Sequence, residues 1–505
     1  MLLTTPLTAA DTFSIKEKFN SLNIDAVFPG DPSYTKFSGS FNKRFEYVPA
    51  AIVFPKNTKE VQSSIKVAVD AKLPVSARSG GHSYAAYGLG GANGFLVIDL
   101  QKLRTIAVNI SSGEATIGAG TRLGDMAISL YEQGRRALPH GSCPYVGLGG
   151  HAAFGGFGLA SRQWGLTLDT IVGHEVVLAN GSIVSTSKTT NSELFWALRG
   201  AGPSFGIVTA FQFQTYPAPS QMTRFLYKWS LNQTQLAASL VKYQEFCASG
   251  PPPQLGVIAN LFKGSGAGTI SFHFGGCWYG EDSGLDAIVE PFLSQMPAPA
   301  SKSVKKTDWL TSLQIIAGNQ NLSSDGVDLT NEHDTFYAKS LTTSEAAPMS
   351  EASLHIFAKY LVNEGFQTDT TWFVQFELYG GKNSAINSVR SDETAFVQRS
   401  ILLTLQFYAS SPKFMPPFPE SGLTFLDSML MSIVENNPLN WPHGAYSNYV
   451  DNRLSFCQWK SEYYSTNWKR LSQIKSVYDP NELFSYPQSI PPAEKVSSLQ
   501  CTGES

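Results

Sequence analysis

Two glycine-rich segments in the first third of the chain restrict what this sequence can fold into. Arg78-Ser79-Gly80-Gly81-His82-Ser83-Tyr84 follows directly on a predicted strand, and a second segment runs from Ser142-Cys143-Pro144-Tyr145-Val146-Gly147-Leu148-Gly149-Gly150-His151 through Gly155-Gly156-Phe157-Gly158. Glycines lacking Cβ let backbone N–H groups close on a polyanion such as a pyrophosphate. A single Gly pair more often marks a tight turn, so the weight rests on the two segments together. Neither is a Walker loop, nor a Gly-x-Gly-x-x-Gly opening a helix after the first strand, which disfavours a nicotinamide-binding Rossmann domain.

The 505 residues exceed one hydrophobic core and predict two or three domains. Charged residues are 15% and hydrophobic ones 42%, the balance of a packed globular protein. Lysine and arginine total 37 against 40 acidic residues, 37 − 40 = −3, so no global positive field exists to hold nucleic acid. No run of 18 apolar residues suits a membrane span. The opening Met1-Leu2-Leu3 lacks a basic leader, so a secretory signal is expected to have been removed or never to have existed. Five cysteines (143, 247, 277, 457, 501) without a CxxC or Cys/His cluster predict no metal site and at least one unpaired sulfur. Sequons at Asn109, Asn180, Asn232 and Asn321 are about as many as chance supplies and decide nothing about secretion.

From Ala50 the chain alternates short elements. Ala51 to Phe54 is a predicted strand, and Asn57 or Thr58 caps a helix with the apolar stripe Val61, Ile65, Ala68. Strands are expected at Pro74 to Ala77 and Phe95 to Ile98, a pairing of Ile106-Ala107-Val108 with Ala115-Thr116-Ile117, and a helix near Leu123 to Gln133. Asn180-Gly181 between apolar runs predicts a hairpin with positive φ at both residues. A helix over Glu193 to Leu198 and a strand over Gly206 to Phe213 precede Pro217-Ala218-Pro219, which closes the first domain. Residues 218 to 440 then carry long β runs at Thr269 to Phe274, Thr371 to Tyr379 and Ile401 to Tyr408, with helices such as Ser350 to Val362 between them. A large antiparallel sheet backed by helices is expected, hence an α+β fold. Residues 441 to 505 form a closing segment, helical from Ser455 to Tyr478 and stopped by Asp479-Pro480.

A His in one glycine loop and a Cys in the other, with Glu193-Leu194-Phe195-Trp196-Ala197-Leu198-Arg199-Gly200 and Phe205-Gly206-Ile207-Val208 behind them, resemble the berberine bridge enzyme-like FAD oxidases of the vanillyl-alcohol-oxidase fold. The resemblance runs from about residue 45 to Pro487. It includes Tyr337-Ala338-Lys339-Ser340-Leu341, Gly380-Gly381-Lys382-Asn383-Ser384, Asn448-Tyr449-Val450-Asp451 and Asp479-Pro480-Asn481-Glu482-Leu483-Phe484, and is strongest toward fungal carbohydrate oxidases. It implies a two-part FAD domain, and FAD bonded to His82 at the 8α-methyl and to Cys143 at C6. Gly80, Gly81, Ser83, Val146, Gly147, Gly149, Gly150, His151, Gly156, Gly206 and Val208 would surround the cofactor. Val146 resembles the gate residue of members that use O2. Tyr449 matches the family's catalytic tyrosine and Glu377 stands where the carbohydrate oxidases usually carry Asp. A phenol near pKa ~10 needs such a relay to act as base.

Strand periodicity gives the substrate face independently. Trp372, Val374, Phe376 and Leu378 form an apolar stripe, while Phe373, Gln375, Glu377 and Tyr379 present aromatic, amide and carboxylate groups that suit a sugar. Gln406 joins Gln375. By resemblance, Phe373 or Trp372 is the stacking platform, Tyr84 contributes from the flavin side, and Tyr446 is a second phenol. The carboxylate that some relatives present near Leu255 to Asn260 has no counterpart, and Gly256 is expected to leave room for a larger substituent. An N-terminal disulfide of some relatives lacks its cysteines. The expected function is a secreted, monomeric glycoprotein that oxidises the reducing-end C1 hydroxyl of oligosaccharides with O2, giving lactone and hydrogen peroxide. The alternatives are a sugar dehydrogenase with poor O2 use and an oxidoreductase of an alkaloid, phenolic or other secondary metabolite.

Overall fold

The computed structural model describes residues 8–281, 284–329, 332–496 and 501, so the opening Met1-Leu2-Leu3 lies outside the described residues. Its first sheet contains β1 (Asp25–Val27), β2 (Ala51–Phe54), β3 (Val75–Arg78) and β4 (Leu96–Asp99) in the order β1-β2-β4-β3. β2, β4 and β3 run parallel, and β2 and β4 are buried along their whole length, as parallel strands covered on both faces are. The helix Thr58–Asp70 starts where Asn57 accepts the Glu60 N–H.

The second sheet orders β5 (Ile106–Asn109), β6 (Glu114–Gly118), β8 (Ile171–Val177), β9 (Ile183–Thr186) and β10 (Ile207–Gln214) as β5-β6-β10-β8-β9, with a ribbon of β7 (Arg136–Ala137) and β11 (Tyr216–Pro217) beside it. The expected pairing of Ile106 with Ile117 forms in register. The Asn180-Gly181 hairpin also forms, but only Gly181 has positive φ, at +78°. Gly181 N–H donates to the Leu178 carbonyl at 2.8 Å and Leu178 N–H to Ser182 at 2.9 Å. That is the three-residue loop with a left-handed closing glycine, in place of the two-residue mirror-image turn.

The third sheet is antiparallel throughout. It contains β12 (Met222–Leu231), β13 (Leu255–Lys263), β14 (Ile270–Trp278), β15 (Ser301–Thr307), β16 (Phe336–Ser344), β17 (Thr371–Leu378), β18 (Ile401–Ser410) and β19 (His443–Gly444), in the order β15-β12-β14-β13-β17-β18-β16-β19. The helices Gln233–Ala248, Glu351–Gln367 and Glu420–Val434 cover one face, where Tyr243, Phe357, Leu361 and Met429 pack on Val257, Phe274, Val374 and Phe376. The chain is thus α+β, with the helix-backed sheet expected.

The C-terminal part returns to the first unit. Trp459, Trp468, Leu471 and Ile490 share a core with Leu194, Trp196 and Phe205. The helix expected from Ser455 is broken: Phe456–Trp459 passes into a π turn at Lys460–Tyr464, Ser465 takes φ +41°, and an α-helix resumes at Trp468–Tyr478. Cys457 and Cys501 form a disulfide, leaving Cys143, Cys247 and Cys277 as thiols.

Candidate active site

A cavity of about 640 Å³ opens between the glycine-rich loops and the sheet face opposite the helices. The loops meet backbone to backbone. A Cβ on Gly80 would stand 2.2 Å from the Gly147 nitrogen, and one on Gly147 would stand 2.0 Å from the Gly80 nitrogen. Gly156 and Gly206 are likewise required by close neighbours, Thr167 and Val176. Gly150 differs: a Cβ there meets nothing within 4 Å, and the residue lines the cavity. Most of these glycines therefore let the protein close on itself, while Gly150 leaves a backbone wall open to a ligand.

His82 and Cys143, on separate loops, line the same cavity. The His82 ring stacks on Phe41 at 4.2 Å. Burial, with Arg122 nearby, pulls its pKa down to about 3, so the imidazole is neutral and nucleophilic. Cys143 is a free, partly exposed thiol whose pKa burial pushes up. Gly81, Ser83, Val146, Gly149, His151 and Val208 also line the cavity, and His151 accepts the Gly141 N–H at 3.1 Å.

The opposite wall comes from β17, β18 and the segment after β19. The Tyr449 hydroxyl donates to Glu377 Oε1 at 2.8 Å. Glu377 is 3% exposed, and its Oε2 has no hydrogen-bond partner among the described residues. Burial pushes its pKa up to about 8, and burial beside Glu377 raises Tyr449 well above the ordinary phenol. The Tyr84 ring lies parallel to Tyr449 at 6.0 Å, and Gln406 Nε2 donates to the Tyr84 hydroxyl at 2.6 Å. Gln375 Nε2 donates to Asn260 Oδ1 at 2.8 Å, so both glutamines keep amide oxygens for another donor. Phe373 stacks on Tyr408 at 4.8 Å in the cavity wall.

Three expectations need correcting. Trp372 cannot be the platform: it sits on the helix face, 3% exposed, with its indole N–H on the Gly365 carbonyl at 2.8 Å. Gly256 leaves no room for a substituent, because a Cβ there would lie 2.0 Å from the Leu159 carbonyl oxygen. Tyr446 is not a free second phenol. Its oxygen accepts the Gly156 and Phe157 N–H groups at 2.9 and 3.0 Å and Asn448 Nδ2 at 3.0 Å, clasping the second glycine segment.

The expectations also left out what holds Tyr449 in place. Lys339 bridges Asp451 at 2.7 Å and Asp427 at 2.8 Å, and the Tyr337 hydroxyl donates to both carboxylates. The signal was present, since Tyr337-Ala338-Lys339 and Asn448 to Asp451 both stood out; their mutual contact had no mark in the sequence.

Residues 49–187 match the FAD binding domain family, and residues 445–491 match the berberine and berberine-like family. The chain is 36% identical to a xylooligosaccharide oxidase of Thermothelomyces thermophilus over 95% of either protein. It is 35% identical to the FAD-linked oxidoreductase dpmaF of Metarhizium anisopliae over 95% of this chain and 92% of that protein. The solved glucooligosaccharide oxidase of Acremonium strictum, described with a 6-S-cysteinyl, 8α-N1-histidyl FAD, superposes with a TM-score of 0.87 at 33% identity, covering 95% of this chain and 99% of that one.

Proposed function

This chain belongs to the berberine and berberine-like family of FAD-linked oxidoreductases, and on that premise we propose that it oxidises the reducing-end C1 hydroxyl of an oligosaccharide. The products are the lactone, which hydrolyses to the aldonic acid, and hydrogen peroxide from O2. The observation that carries this reading is the Tyr449–Glu377 pair, 2.8 Å apart and facing the wall that holds His82 and Cys143.

The cavity fits FAD: Gly150 offers open backbone, and a neutral imidazole and a free thiol stand on separate loops. His82 and Cys143 would anchor the cofactor covalently, with Gly80, Gly81, Ser83, Val146, Gly147, Gly149, Gly150, His151, Gly206 and Val208 around it, whereas Gly156, expected there, lies outside the cavity lining and packs on Thr167. Bound FAD would supply the hydride acceptor and the means of passing electrons to O2, with Val146 as the gate residue. Tyr449 takes the C1 hydroxyl proton as its own passes to Glu377. Glu377 Oε2, buried and unpaired among the described residues, is placed to receive a substrate hydroxyl. Tyr84 and Phe373 offer ring faces, and the amide oxygens of Gln375 and Gln406 accept sugar hydroxyls. The disulfide Cys457–Cys501 supports an extracellular location.

A second reading, oxidation of a secondary metabolite, is favoured by the apolar part of the same cavity's lining, which includes Ile258, Tyr279, Trp309 and Leu313. Acid precipitation tests the tether: the pellet should stay yellow in the wild type and lose its colour in the His82→Ala, Cys143→Ala double variant. Peroxide release is then measured with cello-, xylo-, chito- and malto-oligosaccharides and lactose. A yellow enzyme silent across that panel would overturn the sugar reading in favour of the metabolite one.

A further inference from the structure

The polar wall of the cavity continues across the sheet. In register, Gln406 faces Gln375, Gln375 faces Asn260, Asn260 faces His273, and His273 faces Lys228. Residues paired in register point to one side, so these five make a single row over β18, β17, β13, β14 and β12. Four inter-strand steps of roughly 4.8 Å give it a length of about 19 Å. An aromatic row runs beside it. Phe373, stacked on Tyr408, lies 6.3 Å from Phe262, which lies 5.1 Å from His273.

Asn260, Phe262, His273 and Lys228 are half-buried, whereas the alternate residues Val257, Ala259 and Leu261 enter the helix-backed core. Burial and Lys228 hold His273 down to about 4, so the imidazole is neutral and its Nε2 pairs with the Ser271 hydroxyl at 3.0 Å. Lys228 is then the cation of the row, and it makes no ion pair among the described residues.

We propose that this row is a track for the non-reducing units of an oligosaccharide, ending at Lys228 in a subsite for a terminal unit that carries a carboxylate, such as a uronic acid. The proposal rests on the oxidase reading, which fixes the reducing end in the cavity. Continuity with the cavity argues for a sugar chain, with ring faces on Phe373 and Phe262 and hydroxyls on the amides. Charge complementarity argues for an acid at the far end.

The test compares kcat/KM, from peroxide release by the intact flavoenzyme, for cellobiose, cellotetraose and a cellotetraose whose non-reducing unit is glucuronate. Cellotetraose should exceed cellobiose by about tenfold, mainly through KM, which corresponds to one extra well-made subsite. The glucuronate-capped chain should exceed cellotetraose by up to about fivefold, the range open to one half-exposed ion pair. That advantage should vanish in Lys228→Gln and in about 0.5 M salt, while Lys228→Gln leaves cellobiose turnover unchanged. Equal values for the two tetrasaccharides, or an advantage that survives Lys228→Gln, would overturn the acid subsite. Turnover of cellobiose with no gain for either tetrasaccharide removes the track alone; absence of turnover with every sugar removes the oxidase reading and the track with it.

Discussion

Glu377 decides how the proposed base behaves, because its proton and that of Tyr449 share one buried hydrogen bond. Only ionised Glu377 can accept the phenolic proton, and its pKa stands near 8. kcat/KM should therefore rise with pH through about 8 and level off above it. Glu377→Gln should flatten that rise and lower kcat by about 10²-fold or more, while Glu377→Asp keeps the pH dependence. Tyr449→Phe should cost about 10² to 10⁴ in kcat and leave the pellet yellow after acid precipitation. Stability gives an independent readout. The folded-state value lies above the ordinary 4.5, so the folded protein binds this proton more tightly than the unfolded chain does. Its contribution to stability is fully present below about 4.5 and is lost as pH rises through about 8. Denaturation midpoints at pH 5 and pH 9 should fall further for the wild type than for Glu377→Gln; equal falls would mean the carboxyl is well solvated.

At the scale of elements, β16 carries the device that aims Tyr449. Lys339 is held between Asp427 and Asp451, and Ser340 Oγ accepts the Tyr446 N–H at 2.8 Å. Lys339→Met leaves Asp451, 4% exposed in its side chain, without its cation, which should cost about 3 to 5 kcal/mol by denaturant titration. It should also lower kcat, because the segment bearing Tyr449 loses its anchor. Alternation along β17 made the sheet face legible: Phe373, Gln375 and Glu377 reach the cavity by period 2 alone. The same period places Trp372 behind the sheet, so the resemblance to a stacking aromatic had to yield to the pleat. What the sequence could not disclose were approaches set by distant chain. Gly256 is small because Leu159 crosses it, Gly80 and Gly147 because each loop needs the other, and the Asn180-Gly181 turn takes its form from the pairing of β8 with β9. Tyr446 could not be read either, since its three donors are assembled only by the fold.

For the molecule as a whole, the cavity exists only while the glycine loops and the third sheet stay in place against each other, and two buried arginines fasten them. Arg162, fully buried beside the second glycine segment, donates to the carbonyls of Gly380, Pro252, Leu255 and Pro251 at 2.8 to 3.0 Å and to that of Lys382 at 3.4 Å. Arg399 grips Asp169 through two bonds of 2.9 and 2.7 Å. Arg162 has no carboxylate partner among the described residues: a planar five-donor fork satisfies carbonyls at the start of β13 and just after β17, a task a lysine's compact ammonium performs poorly. Arg162→Met would strand those carbonyls in a dry interface, each costing about 1 to 3 kcal/mol less whatever entering water restores. The expected result is a fall in melting temperature and, by scanning calorimetry, separation of one cooperative transition into two as the sheet unit uncouples from the loop unit. Arg162→Lys should fall between. Because the tether proposed through His82 and Cys143 would lie on the loop side, Arg162→Met should keep its yellow colour while KM rises more than kcat falls, the signature of a substrate wall displaced from intact chemistry. A single transition at the wild-type temperature would show that the fork satisfies carbonyls without joining the units.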